Sequence, residues 1–152
     1  MDSQNIKQKL FTCCKTIIET RIANSRSAMN DAQNSANTEE KSSAGDKYET
    51  SRAMGHLNRD LNAKQMAEAL DTLNILNGLD VSTIHTKVQA GSVVVTTNGN
   101  YFIAVSAGTI KINEQHFFAI SPITPIGQVL LNSKVGDIVD FNGKKITITE
   151  IF

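Results

Sequence analysis

The residues whose types and spacing could do chemistry stand in one stretch, "TEEKSSAGDKYETSR", from Thr38 to Arg52. It carries four carboxylates (Glu39, Glu40, Asp46, Glu49) and three cations (Lys41, Lys47, Arg52). Asp46 and Glu49 are three apart, so on a helix they share one face and can offer oxygens to one cation together. The same residues also fit a structural role, because an acidic N-cap followed by Glu at the third helical position is a variant of the capping box. From Gly45 to Glu49 alone both readings stay open. Glu39 and Glu40 read as solvated turn charges.

The remaining reactive side chains are dispersed. His56, His85 and His116 lack ligand-like spacing, so no metal is expected to bind stably to the free protein. Cys13 and Cys14 are adjacent, which suits neither a mutual disulfide nor a metal site, and they read as reduced thiols on a helix.

Two kinds of element must position the acidic stretch. From Gln4 to Asn77 there is no proline, only Gly45 and Gly55 interrupt as glycines, and helix formers dominate. Apolar residues recur at helical spacing through Ile6, Leu10, Cys13 or Cys14, Ile17, Ile18 and Ile22, then thin to Ala28, Met29, Ala32 and Ala36. A second run, Met54, Leu57, Leu61, Ala67, Leu70 and Leu73, strengthens away from Gly45. Two helices reversing there pair strong ends with strong ends, which predicts an antiparallel coiled-coil hairpin over 1–78 with its tip near 38–49. Each arm of about 30 residues spans about 45 Å at the helical rise.

From Gly78 onward the chain turns to Val, Ile, Thr and Phe, with both prolines and seven of the nine glycines. Runs flanking Asn98-Gly99 and Asn142-Gly143 predict hairpins, and "TIKIN" and "HFFAISP" predict two more strands. Pro125 suits the first turn of a short helix. Residues 79–152 are therefore expected to form a small antiparallel β domain with one short helix, and the whole chain an α+β fold. Phe117 and Phe118 are neighbours on one strand, so only one can face the core, and the other faces a partner or the hairpin base.

Composition narrows the class. Fifteen basic and fifteen acidic residues leave no net charge, which removes the field of an autonomous nucleic-acid binder. No apolar run approaches the roughly 18 residues of a membrane span, and "MDSQNIKQKL" has no signal-peptide core, so a cytoplasmic protein with no membrane partner is expected. A hairpin that satisfies its own stripe favours a monomer.

The two halves together resemble the bacterial Gre transcript cleavage factors of RNA polymerase, a long helical hairpin with an acidic tip followed by an FKBP-like domain. Thr124-Pro125-Ile126-Gly127, Leu130-Leu131 and Val135-Gly136-Asp137 are similar to the family's Ser-Pro-Ile-Gly, Leu-Leu, Val-Gly-Asp signature, with Thr124 in the serine position. Gly45-Asp46-Lys47-Tyr48-Glu49 matches the tip pattern of Gly-Asp, two residues, Glu. Lys47 replaces a usual leucine, and Thr50-Ser51-Arg52-Ala53 stands where the family reads Asn-Ala-Glu-Tyr.

The resemblance implies an accessory factor and not an enzyme in its own right. The hairpin would enter the polymerase's secondary channel, where Asp46 and Glu49 would help hold a magnesium ion shared with the polymerase and promote cleavage of backtracked nascent RNA. Lys41, Lys47 and Arg52 would contact RNA or polymerase, and Pro125, Ile126 and Gly127 would belong to the docking domain. The altered tip flanks motivate an alternative, a channel factor that modulates polymerase without cleavage. Prolyl isomerase activity is not expected, because the domain lacks tryptophan and spends its aromatic residues in strand patterns. A purely structural coiled coil would instead dimerise and ignore polymerase.

Overall fold

The computed structural model describes residues 2–39 and 45–152, with side chains outside 35–49 and 51. The chain contains α1 (Ser3–Glu39), α2 (Gly45–Asn77), β1 (Val93–Thr96), β2 (Gly99–Ile103), β3 (Gly108–Ile112), β4 (Gln115–Ile120), α3 (Pro125–Leu130), β5 (Ile138–Phe141) and β6 (Lys144–Ile151). The class is α+β, a helical hairpin followed by a β sheet with one short helix. Two compact units result: Ile18–Leu73, and Met1–Ile17 together with Asn74–Phe152.

In the helical unit α1 and α2 run antiparallel. Gln33 accepts a hydrogen bond from Arg59 Nη1 at 3.2 Å, while Arg21 and Ser25 share a groove with Gln65, Glu68, Ala69 and Thr72. Partner numbers thus fall on α2 as they rise on α1. Ile18 and Ile22 are buried on α1, and Gly55 and Ala69 on α2. Arg59, Asn62, Met66 and Leu73 are half-buried along the same seam, and together with Gly55 and Ala69 they recur at alternating steps of four and three.

This corrects the seam expected on α2. Met54, Leu57 and Leu61 are each about half exposed, and Leu70 is exposed too, so of the expected stripe only Leu73 lies on the seam. The physical reason is helical rigidity. Leu76 is completely buried, and heptad steps back from it fall on Ala69, Asn62 and Gly55, so the best-anchored residue sets the face that turns inward.

In the other unit six strands lie in the order β3-β4-β2-β1-β6-β5. Four pairings are antiparallel, and β2 with β4 is parallel, in register from Asn100 opposite Phe117 to Ile103 opposite Ile120. The sheet is thus mainly antiparallel, as expected, with that one parallel pairing. After β2 the chain passes to the edge to make β3, and β4 returns between β3 and β2, which forces it parallel to β2. Tight turns make the adjacent pairings possible: Asn142 and Gly143, like Asn113 and Glu114, both take positive φ as two-residue hairpin loops require.

The β core joins Val88, Val94, Tyr101, Ile103, Leu130, Ile148 and Ile151. Phe117 is buried, whereas Phe118 is 41% exposed and its ring tilts against Tyr101 with centroids 5.7 Å apart. Strand alternation puts Phe118 on the opposite face from Phe117, the face of its register partner Tyr101, where it stays partly exposed. Leu10, Cys14 and Leu76 are also buried in this unit, and both cysteines are free thiols.

Candidate functional site

α2 opens at Gly45, so Asp46 and Glu49 belong to its first turns, three residues apart along one face. Because Gly45 is already helical, Asp46 stands inside the helix and not at its N-cap. The side chains of Asp46, Lys47 and Glu49 lie outside the described residues, as does the whole of Lys41. Arg52, three positions beyond Glu49, is exposed on the same helix. Among the described residues no group of three or more His, Cys, Asp or Glu side chains is gathered as a metal site. Also among them, no helix is long and apolar enough to cross a membrane.

The corner at α3 is built from the second motif. Thr124 is the N-cap: its hydroxyl accepts from Gly127 N at 3.2 Å and donates to Ser121 O at 2.7 Å. Pro125 takes the first helical turn, where its missing N–H costs no intrahelical bond. A Cβ on Gly127 would lie 2.5 Å from Ser121 O and 2.9 Å from Thr124 Oγ1, so only glycine lets the two backbones approach this closely. Ile126 packs against the β core, and Gly127 is buried. Of the three residues, Pro125 alone is exposed, beside Ile123 at 79% exposure. Most of this motif therefore builds the corner, and its accessible surface is Ile123 and Pro125.

A polar cluster absent from the sequence reading occupies the segment after α2. Lys7 is fully buried; its Nζ donates to Thr83 O at 2.6 Å and lies 3.2 Å from His85 Nδ1. Gln4 Nε2 donates to Val81 O at 2.6 Å. Asp80 caps the turn between them, its carboxylate accepting from Ser82 N, Ser82 Oγ and Thr83 Oγ1. Those hydrogen bonds, from Ser82 first, hold the Asp80 carboxyl well below the usual carboxylate range. Burial pushes the Lys7 ammonium down, and the Asp80 charge opposes that shift. Burial also lowers His85, the Lys7 charge lowers it further, and Asp80 opposes both. The available signal was Lys7 itself, which sits three residues before Leu10 and continues the buried spacing of Leu10, Cys14, Ile18 and Ile22.

A groove lined by Gln8, Lys9, Thr12, Cys13, Lys111, Ile112 and Asn113 has a volume of about 440 Å³. Its lining includes two lysines and a cysteine but no carboxylate or imidazole.

No protein-family model and no curated protein matches the chain. Among solved structures it is similar to the transcription factor Gfh1, at 15% identity over 90% of this chain and 92% of that one, with a TM-score of 0.37. At that overlap the likeness assigns neither a function nor site residues.

Proposed function

We propose that the protein is a Gre-type transcription elongation factor that binds bacterial RNA polymerase and stimulates the polymerase's own cleavage of backtracked RNA. One observation carries this reading. A single chain pairs an antiparallel helical hairpin, whose second helix opens with Gly45-Asp46, with a β domain bearing Thr124-Pro125-Ile126-Gly127 and Val135-Gly136-Asp137. In this reading the hairpin enters the secondary channel and the β domain docks outside it, through the corner of Pro125, Ile126 and Gly127. Ile123 and Pro125 supply its exposed apolar surface.

The chemistry asked of the chain is small. Hydrolysis of a phosphodiester gains from a second metal ion that activates water and stabilises the departing oxygen. Asp46 helps hold that magnesium, which is shared with the polymerase and not carried by the free protein. Glu49, one turn on, serves as a further ligand or orients the attacking water. Lys41, Lys47 and Arg52 offset the acidic charge and contact the nascent RNA or the polymerase. The 33 residues of α2 give about 50 Å of helix, enough to carry carboxylates into a deep channel.

The test is cleavage of RNA in stalled elongation complexes with magnesium. The wild-type chain is expected to shorten backtracked RNA, and Asp46→Asn with Glu49→Gln to lose most of that stimulation while polymerase binding persists. Cleavage surviving the double change would remove the two carboxylates from the mechanism. Binding without cleavage by the wild type would favour the alternative of a modulating channel factor, which the Thr50-Ser51-Arg52-Ala53 flank motivates.

A further inference from the structure

The Lys7 cluster has no part in RNA cleavage, yet it places an ammonium and an imidazole face to face in the interior. A lysine ammonium has donors only, so the 3.2 Å contact requires His85 Nδ1 to present its lone pair. While Lys7 carries its charge, His85 is thus neutral with its proton on Nε2. Protonation would put an N–H and a second positive charge directly against Lys7. Lys7 is 0% and His85 7% exposed, so water cannot screen the pair.

Gly91, with φ +95°, lies beside the ring: a Cβ there would meet His85 Cε1 at 3.5 Å, an ordinary contact distance, and Asp80 O at 2.5 Å, so a larger residue would crowd the loop backbone before the ring. Charge reaches the imidazole from Lys7 on α1 and from Asp80 in its own loop. The 89–92 segment packed on its other side is Gln-Ala-Gly-Ser and carries none. Asp80 is committed to Ser82 and Thr83, so it moderates the repulsion from a distance and does not pair with the ring.

We propose that Lys7 and His85, moderated by Asp80, form a proton-operated latch that holds the first turns of α1 on the 80–85 loop while His85 is neutral and frees them when His85 binds a proton. The bond from Gln4 to Val81 O is independent of protonation and lets the segment reclose.

The sign follows from linkage. His85 binds protons less readily when latched than when open, so the open form holds more protons below the ordinary histidine value of about 6.5. Closure is fully present above that value and is lost as pH falls, by up to about tenfold per pH unit until the latched ring itself titrates.

The experiment uses the full chain. Nitrogen NMR is expected to show His85 as the Nε2–H tautomer, titrating below the ordinary histidine value, and Lys7→Met is expected to raise that midpoint. Hydrogen-exchange protection of amides 6–10 should fall as pH drops from 7 to 5. His85→Asn, which leaves an acceptor near the Nδ1 position but takes no proton, should make that protection independent of pH. The latch is refuted if His85 titrates at or above its ordinary value, if wild-type protection stays flat, or if His85→Asn loses protection as the wild type does. Should His85→Asn not fold, the wild-type tautomer and titration decide alone.

Discussion

Replacing Gly127 by alanine separates the role of the α3 motif in the fold from the docking role proposed for it. The added Cβ would start 2.5 Å from Ser121 O, 2.9 Å from Thr124 Oγ1 and 3.0 Å from Pro122 Cα. To reach even 3.0 Å the Ser121 carbonyl must retreat by 0.5 Å, the difference between those distances. That carbonyl also accepts from Thr124 Oγ1 at 2.7 Å and from Thr124 N at 3.1 Å, so moving it loosens the cap. Overpacking costs about 1–3 kcal/mol and a weakened hydrogen bond about 1 kcal/mol. Alanine's better helix propensity returns about 0.5–1 kcal/mol. The net destabilisation is about 1–3 kcal/mol, or roughly 3–10 °C in melting temperature for a chain of this size. Scanning calorimetry is the suitable assay, because the chain has no tryptophan to report on the β unit. Well below the melt, the polymerase binding proposed above should be close to that of the wild type, since Gly127 is buried. A melting temperature within 1 °C of wild type, on the order of a few tenths of a kcal/mol, would falsify the packing account.

Other substitutions probe the remaining contacts. Leu76→Ala, at a fully buried position, should cost about 2–5 kcal/mol, whereas Leu61→Ala, 53% exposed, should cost less than about 1 kcal/mol. Equal losses in denaturant titrations would mean that the α2 seam is misassigned. Phe117→Ala should cost about 3–5 kcal/mol, and Phe118→Ala only about 1 kcal/mol from its contact with Tyr101. A reversed order in chemical unfolding would contradict the strand's facing.

Element types were written plainly in the chain. Helix formers without proline up to Asn77, β-branched residues beyond it, the Asn98-Gly99 and Asn142-Gly143 pairs and Pro125 were enough for the hairpin, the strands and α3, because these signals act over a few residues. The candidate carboxylates were legible for the same reason, since Asp46 and Glu49 are close in sequence and share a helix face in any fold that keeps the helix. The Lys7 cluster was not legible. Its members come from position 7 and positions 80–85, and no local pattern couples them.

By itself, then, the sequence determined which segments become helix or strand, where the acidic pair sits and which residues form the α3 corner. Tertiary structure decided which face of α2 turns inward, because Met54, Leu57 and Leu61 repeat at helical spacing as well as the true seam does, and only the anchoring of Leu76 breaks the tie. It also decided that β4 runs parallel to β2, since strand order is a property of the whole sheet. Finally, it brought a buried ammonium within 3.2 Å of an imidazole, an arrangement that exists only once residues nearly eighty positions apart share one interior.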